Sequence, residues 1–167
     1  MVKSTGMNSC RHYLERDIRI SNGIAAGEAL YREFIVDGLC VYPDDYSGGY
    51  FNDDGYLVIL TTKRNFDEIS FKSTNPLIVN NIIYEYAPHS YNSLISLQMF
   101  ITFDYFIELG IVSTSLIDNR NAIKIDLEDL RNEEKVLSFL KTAYPGFDES
   151  MVYFGLDSVY TSSCQYF

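Results

Sequence analysis

Residues 110–130, GIVSTSLIDNRNAIKIDLEDL, constrain the fold more than any other part of the chain. Val112, Thr114 and Leu116 alternate with Ile111, Ser113, Ser115 and Ile117; four residues later Ala122, Lys124 and Asp126 alternate with Ile123, Ile125 and Leu127. Period-two alternation of β-branched residues is the pattern of half-buried strands. Asp118-Asn119-Arg120-Asn121 between them are residue types that tolerate left-handed backbone and bond their own main chain. The stretch therefore predicts a β-hairpin running into a helix start.

A second hairpin is predicted over residues 50–62, YFNDDGYLVILTT, with the turn at Asn52-Asp53-Asp54-Gly55. The unbroken apolar run Leu57-Val58-Ile59-Leu60 predicts a central strand buried on both faces. Around the hairpins the pattern predicts a short helix near residues 13–18, a helix over 28–37 ended by Asp37-Gly38, and a loop over 42–49. It also predicts a short helix over 65–73, a strand over 82–87, a long helix over 90–109, a helix over 129–144 and a strand over 151–154. Two hairpin–helix–strand units (50–87 and 111–154) follow one another with the long helix between them, alike in element order and without a sequence repeat. The expected class is α+β, antiparallel sheet with helices packed on one face. The expected division is an N-terminal helical segment and loop (1–47), an α+β region (48–154, with possible subdomains 48–89 and 90–154) and a C-terminal tail (155–167).

Composition narrows the function. The 167 residues are 47% hydrophobic, so a packed core is expected rather than disorder. The formal net charge of −10 opposes binding of nucleic acid through its phosphates, which calls for clustered Lys and Arg. It suits a basic protein partner. No apolar run reaches the roughly 18 residues of a membrane span, and residues 1–21 lack the apolar segment of a secretory signal. The expectation is a cytoplasmic chain away from membranes, or an extracellular one if it is a trimmed precursor. Cys10, Cys40 and Cys164 have no zinc or CxxC spacing and are expected as free thiols.

Two stretches carry a family resemblance. Gly48-Gly49-Tyr50-Phe51-Asn52-Asp53-Asp54-Gly55-Tyr56-Leu57-Val58-Ile59 resembles the Gly-aromatic strand, acidic-Gly turn and Leu-Val-Val strand in the pro-region of secreted bacterial chymotrypsin-like serine proteases, the α-lytic protease and streptogrisin type. Residues 111–125 are similar to that family's strand, Asp-x-x-Asn turn and strand. The resemblance implies a folding assistant and inhibitor that packs a sheet on a protease and lays its C-terminal tail in the active-site cleft. The chain departs from the family in having no protease domain after it, so action in cis is not expected.

Chemistry-bearing motifs are scarce. His12 and His89 stand in no motif, and HExxH, GxSxG and GK[ST] patterns are missing. Asp44-Asp45 and Asp53-Asp54-Gly55 lack the alternating ligands of a calcium loop and read as turns. Asp126, Glu128, Asp129, Glu133 and Glu134 read as a solvated helix start. No cofactor and no metal are expected. The function expected from these features is a non-catalytic protein-binding module, such as a stand-alone pro-region-like inhibitor or folding assistant. Its binding residues are expected in the aromatic tail, at Tyr160, Cys164, Gln165, Tyr166 and Phe167, or at a sheet edge. The alternatives are an immunity-type or DNA-mimicking acidic inhibitor, and an enzyme with a site assembled from scattered residues such as Cys40, His89 and Asp104.

Overall fold

The computed structural model describes residues 6–156, and the side chains within that range apart from those of 6–12, 103 and 104. The fold is α+β. The chain divides into two compact units, Met1–Asn92 and Ser93–Phe167. Each contains a three-stranded sheet of the same topology: an antiparallel hairpin, then a return strand parallel to the hairpin's second strand. The hairpins are antiparallel as expected; the third strand of each sheet is not. A crossover carrying helix brings the chain back to the starting end of the second strand, and that fixes the parallel sense.

The first unit begins with α1 (Gly6–Glu33), followed by a two-stranded ribbon of β1 (Ile35–Val36) and β2 (Leu39–Cys40). The sheet comprises β3 (Tyr46–Phe51), β4 (Leu57–Thr61) and β5 (Ile82–Tyr86), with the short helix α2 (Pro76–Val79) in the crossover. Helix α1 runs through Gly23 and Gly27, two residues that mark breaks in the sequence pattern. They serve close packing instead. A Cβ on Gly23 would lie 2.7 Å from Cε1 of Phe51 and 3.2 Å from Cβ of Leu57, and one on Gly27 would lie 3.0 Å from Cδ2 of Leu57. Each glycine costs a helix about 1 kcal/mol relative to alanine; here that cost brings the helix onto β4. Arg16 and Arg19 donate from Nε to the carbonyls of Asp53 and Asp54, tying the helix to the hairpin turn.

Ala26 and Leu30 of α1 enclose one core with Leu57, Ile59, Ile69, Phe71 and Ile78. The C-terminal half of α1 therefore packs with the first sheet. Every residue of β4 is buried; Val58 and Leu60 turn to the opposite face, where they meet Ala87 and Tyr50. The expected helix over 65–73 is one turn, Phe66–Glu68, capped by the Asn65 side chain, because Ile69 adopts extended backbone directly after it. Phe66 is exposed, while Ile69 and Phe71 face inward.

The second unit contains most of α3 (Tyr91–Asp104), then β6 (Ile111–Ile117), β7 (Ala122–Leu127), α4 (Glu133–Ala143) and β8 (Val152–Leu156). Leu94, Leu97 and Ile101 of α3 and Val136 and Leu140 of α4 pack with Ile123, Ile125 and Leu127, so both helices cover one face of the sheet. A fully buried Leu or Ile stabilises the fold by roughly 1.5–3 kcal/mol. Leu137 is half-buried beside this core, and Met99 of α3 is exposed. Asn121 closes the hairpin with φ 49°, the left-handed geometry predicted for that turn. Among the described residues no helix is long and apolar enough to cross a membrane.

Candidate functional site

The ribbon β1–β2 is the most exposed apolar element described. Phe34 is the last residue directed into the core; beyond it Asp37 (φ 52°) and Gly38 (φ 81°) reverse the chain with two left-handed residues, the combination that matches strand twist in a two-residue hairpin. The strands pair Val36 with Leu39 and Ile35 with Cys40, and Val41 N–H donates to the Phe34 carbonyl at 2.8 Å. The expected helix over 28–37 thus ends at Glu33. Asp37-Gly38 is a hairpin turn, not a helix stop, because β-branched and apolar residues on both sides of it pair.

Four apolar side chains of the ribbon face water: Ile35 is 52% exposed, Val36 55%, Leu39 70% and Val41 55%. Cross-strand partners share a face of a ribbon, so Phe34, Val36, Leu39 and Val41 form one stripe. The stripe runs into a groove of ≈ 430 Å³ lined by Glu33, Phe34, Val36, Val41, Tyr42, Pro43, Ser70, Phe71 and Lys72. An exposed apolar stripe continuous with a groove is the usual character of a protein-binding surface.

The root of the ribbon is rigid. Tyr42 stacks on Tyr46 with ring centroids 5.3 Å apart and meets Tyr91 at 4.6 Å, while Phe34 packs edge-on to Tyr46 and Phe71. Burial first, then the neighbouring Cys40, pushes the Tyr42 phenol well above the ordinary value, so it stays a neutral hydroxyl. The Asn92 amide donates to the Tyr42 carbonyl at 3.0 Å. Asp45, read from the sequence as a turn residue, is buried and accepts from the Ser70 backbone N–H at 2.8 Å and from the Ser70 hydroxyl. It pins Ser70, which with Phe71 and Lys72 forms one wall of the groove, beside the start of β3. The expected loop over 42–49 consequently becomes strand from Tyr46.

The charges beside the groove are unevenly matched. Lys72 is held by Asp67 at 2.6 Å, and Arg32 lies 3.8 Å from Glu28. Glu33 on the groove wall, Asp37 in the turn and Asp44 after Pro43 leave acidic character around the apolar stripe.

The other sequence candidates are dispersed. Tyr160, Cys164, Gln165, Tyr166 and Phe167 lie outside the described residues, as does His12's side chain. Cys40 sits on the ribbon, His89 is half-buried in the turn after β5, and the side chain of Asp104 is not among those described. The carboxylates from Asp126 to Glu134 are not one cluster. Asp126 is buried against Lys124 Nζ at 2.6 Å and the Ser113 hydroxyl at 2.8 Å, whereas Asp129 caps the following turn by accepting from Arg131 N–H at 2.9 Å. Among the described residues no group of three or more His, Cys, Asp or Glu is arranged to hold a metal ion.

No family model and no curated protein matches this chain.

Proposed function

We propose that the chain is a non-catalytic protein-binding module that engages its partner through the β1–β2 ribbon and the groove beside it. The observation that carries this reading is the exposed stripe Val36, Leu39, Val41: apolar side chains in an ordered hairpin, outside the core and rooted at buried Phe34, continuous with a groove. A hairpin of two-residue strands gains little stability of its own, and exposing its apolar residues gives the monomer nothing. Covering them on association adds the hydrophobic term that exposure withholds. The net charge of −10 favours a partner with a basic surface and a faster encounter with it.

The test is a library of random dodecapeptides displayed on phage, panned against the full chain and re-tested against Leu39→Asp. The expected result is a set of binders that lose at least tenfold in affinity with Leu39→Asp while the melting temperature stays within a degree or two of the parent. Equal binding to both proteins overturns the reading.

A pro-region-like inhibitor is a narrower version of the same function. Its support is the sequence resemblance of residues 48–59 and 111–125, both of which form hairpins. It predicts dose-dependent inhibition of a chymotrypsin-like protease of the α-lytic type by the full chain; undiminished protease activity at saturating protein counts against it.

A further inference from the structure

We infer that the ribbon's occupant is an extended strand of a partner protein, apolar at alternate positions and basic between them, which adds to the ribbon's free edge. This rests on the binding role proposed above and specifies what is bound. In an antiparallel pair, hydrogen-bonded and non-hydrogen-bonded residue pairs alternate. Val41 N–H bonds to the Phe34 carbonyl, so the 34–41 pair is the bonded kind and the next pair, Ile35 with Cys40, is the other kind. The N–H and C=O of Ile35 and Cys40 therefore point outward from the ribbon, one set on each edge. Such edge groups are what an added strand completes.

Val36, Leu39 and Val41 share one face and lead into the groove, so an added strand with apolar residues at every second position places them along that stripe. The strand would meet a protein of net charge −10, with Glu33 on the groove wall and Asp37 in the turn, while the nearby cations already have acidic partners, Lys72 with Asp67 and Arg32 with Glu28. Lys or Arg at the alternate positions is complementary, and Asp or Glu is repelled.

Peptides from the dodecapeptide library that depend on Leu39 are the probe. They should show apolar residues at alternate positions with Lys or Arg between, and synthetic copies should weaken several-fold as salt rises from about 50 to 500 mM. Methylating their alternate backbone nitrogens on the ribbon-facing side should weaken binding at least tenfold. Cys40→Pro and Ile35→Pro each remove one outward N–H without touching the ribbon's own bonds. One of the two should weaken binding at least tenfold more than alanine at the same position does. If Leu39-dependent peptides bind as well when N-methylated, or prove acidic, strand addition is wrong and the groove reading stands. If none depends on Leu39, the binding role itself fails.

Discussion

Two aspartates of the second unit experience opposite environments. Burial pushes the Asp126 carboxyl up, but its bonds to Lys124 and Ser113 outweigh burial and hold it below the ordinary range. Its folded value is thus lower than its unfolded value of roughly 4, and the stability it contributes is present above that pH and lost as pH falls through the folded value. Replacing it with alanine should cost about 1–3 kcal/mol at neutral pH, toward the lower end because the Lys124 side chain still reaches water. The difference from the parent should shrink in acid, as thermal melts across pH would show. For Asp118 burial alone raises the value. There the folded state favours the proton, so ionisation withdraws stability as pH rises from the unfolded value through the folded one. Asp118→Asn should raise the melting temperature at pH 7 and lose that advantage below about pH 4. A variant that melts lower than the parent at pH 7 would mean that the Asp118 carboxylate makes a contact worth more than its desolvation.

At the scale of elements, the hairpins were legible because their turns announce themselves. Asp54-Gly55 and the run Asp118 to Asn121 carry the left-handed residues that the reversals use. Asp37-Gly38 carries the same signal between Ile35-Val36 and Leu39-Cys40, yet it also fits a helix end, and the apolar residues before it have helical spacing. Pairing across the turn decides the matter, and that is not a local property. Helix α1 was hidden for a related reason. Gly23 and Gly27 look like breaks in isolation, and their use appears only with Phe51 and Leu57 against them. Gly23→Leu should therefore destabilise the protein by roughly 1–3 kcal/mol despite leucine's better helix propensity. A neutral outcome would mean that α1 can shift off β4 freely. In the second unit, Ile101→Ala and Ile125→Ala each empty part of the core shared by α3, α4 and β7, and should cost roughly 2–5 kcal/mol in denaturant titrations.

For the whole molecule, the α+β class followed from alternating hairpins and helices, and the core positions Leu57, Ile59, Leu97, Ile101, Ile123 and Ile125 are buried as their spacing predicts, whereas Leu137, expected with them, is only half-buried. The parallel return strands could not be read, since nothing local in residues 82–86 or 152–156 encodes the direction from which the chain arrives. The candidate site was less legible still. The sequence pointed to the aromatic tail, because aromatic residues near a terminus are conspicuous in a list of letters. The ribbon's Val36, Leu39 and Val41 look like ordinary core residues until folding leaves them outside. The central claim, that this ribbon and groove form the binding surface, is tested most directly by hydrogen–deuterium exchange of the full chain, alone and with a saturating Leu39-dependent library peptide. The account predicts that protection is gained within residues 33–43 and 69–72, with β7 and β8 unchanged. Protection gained elsewhere, with residues 33–43 exchanging as in the free protein, would contradict it.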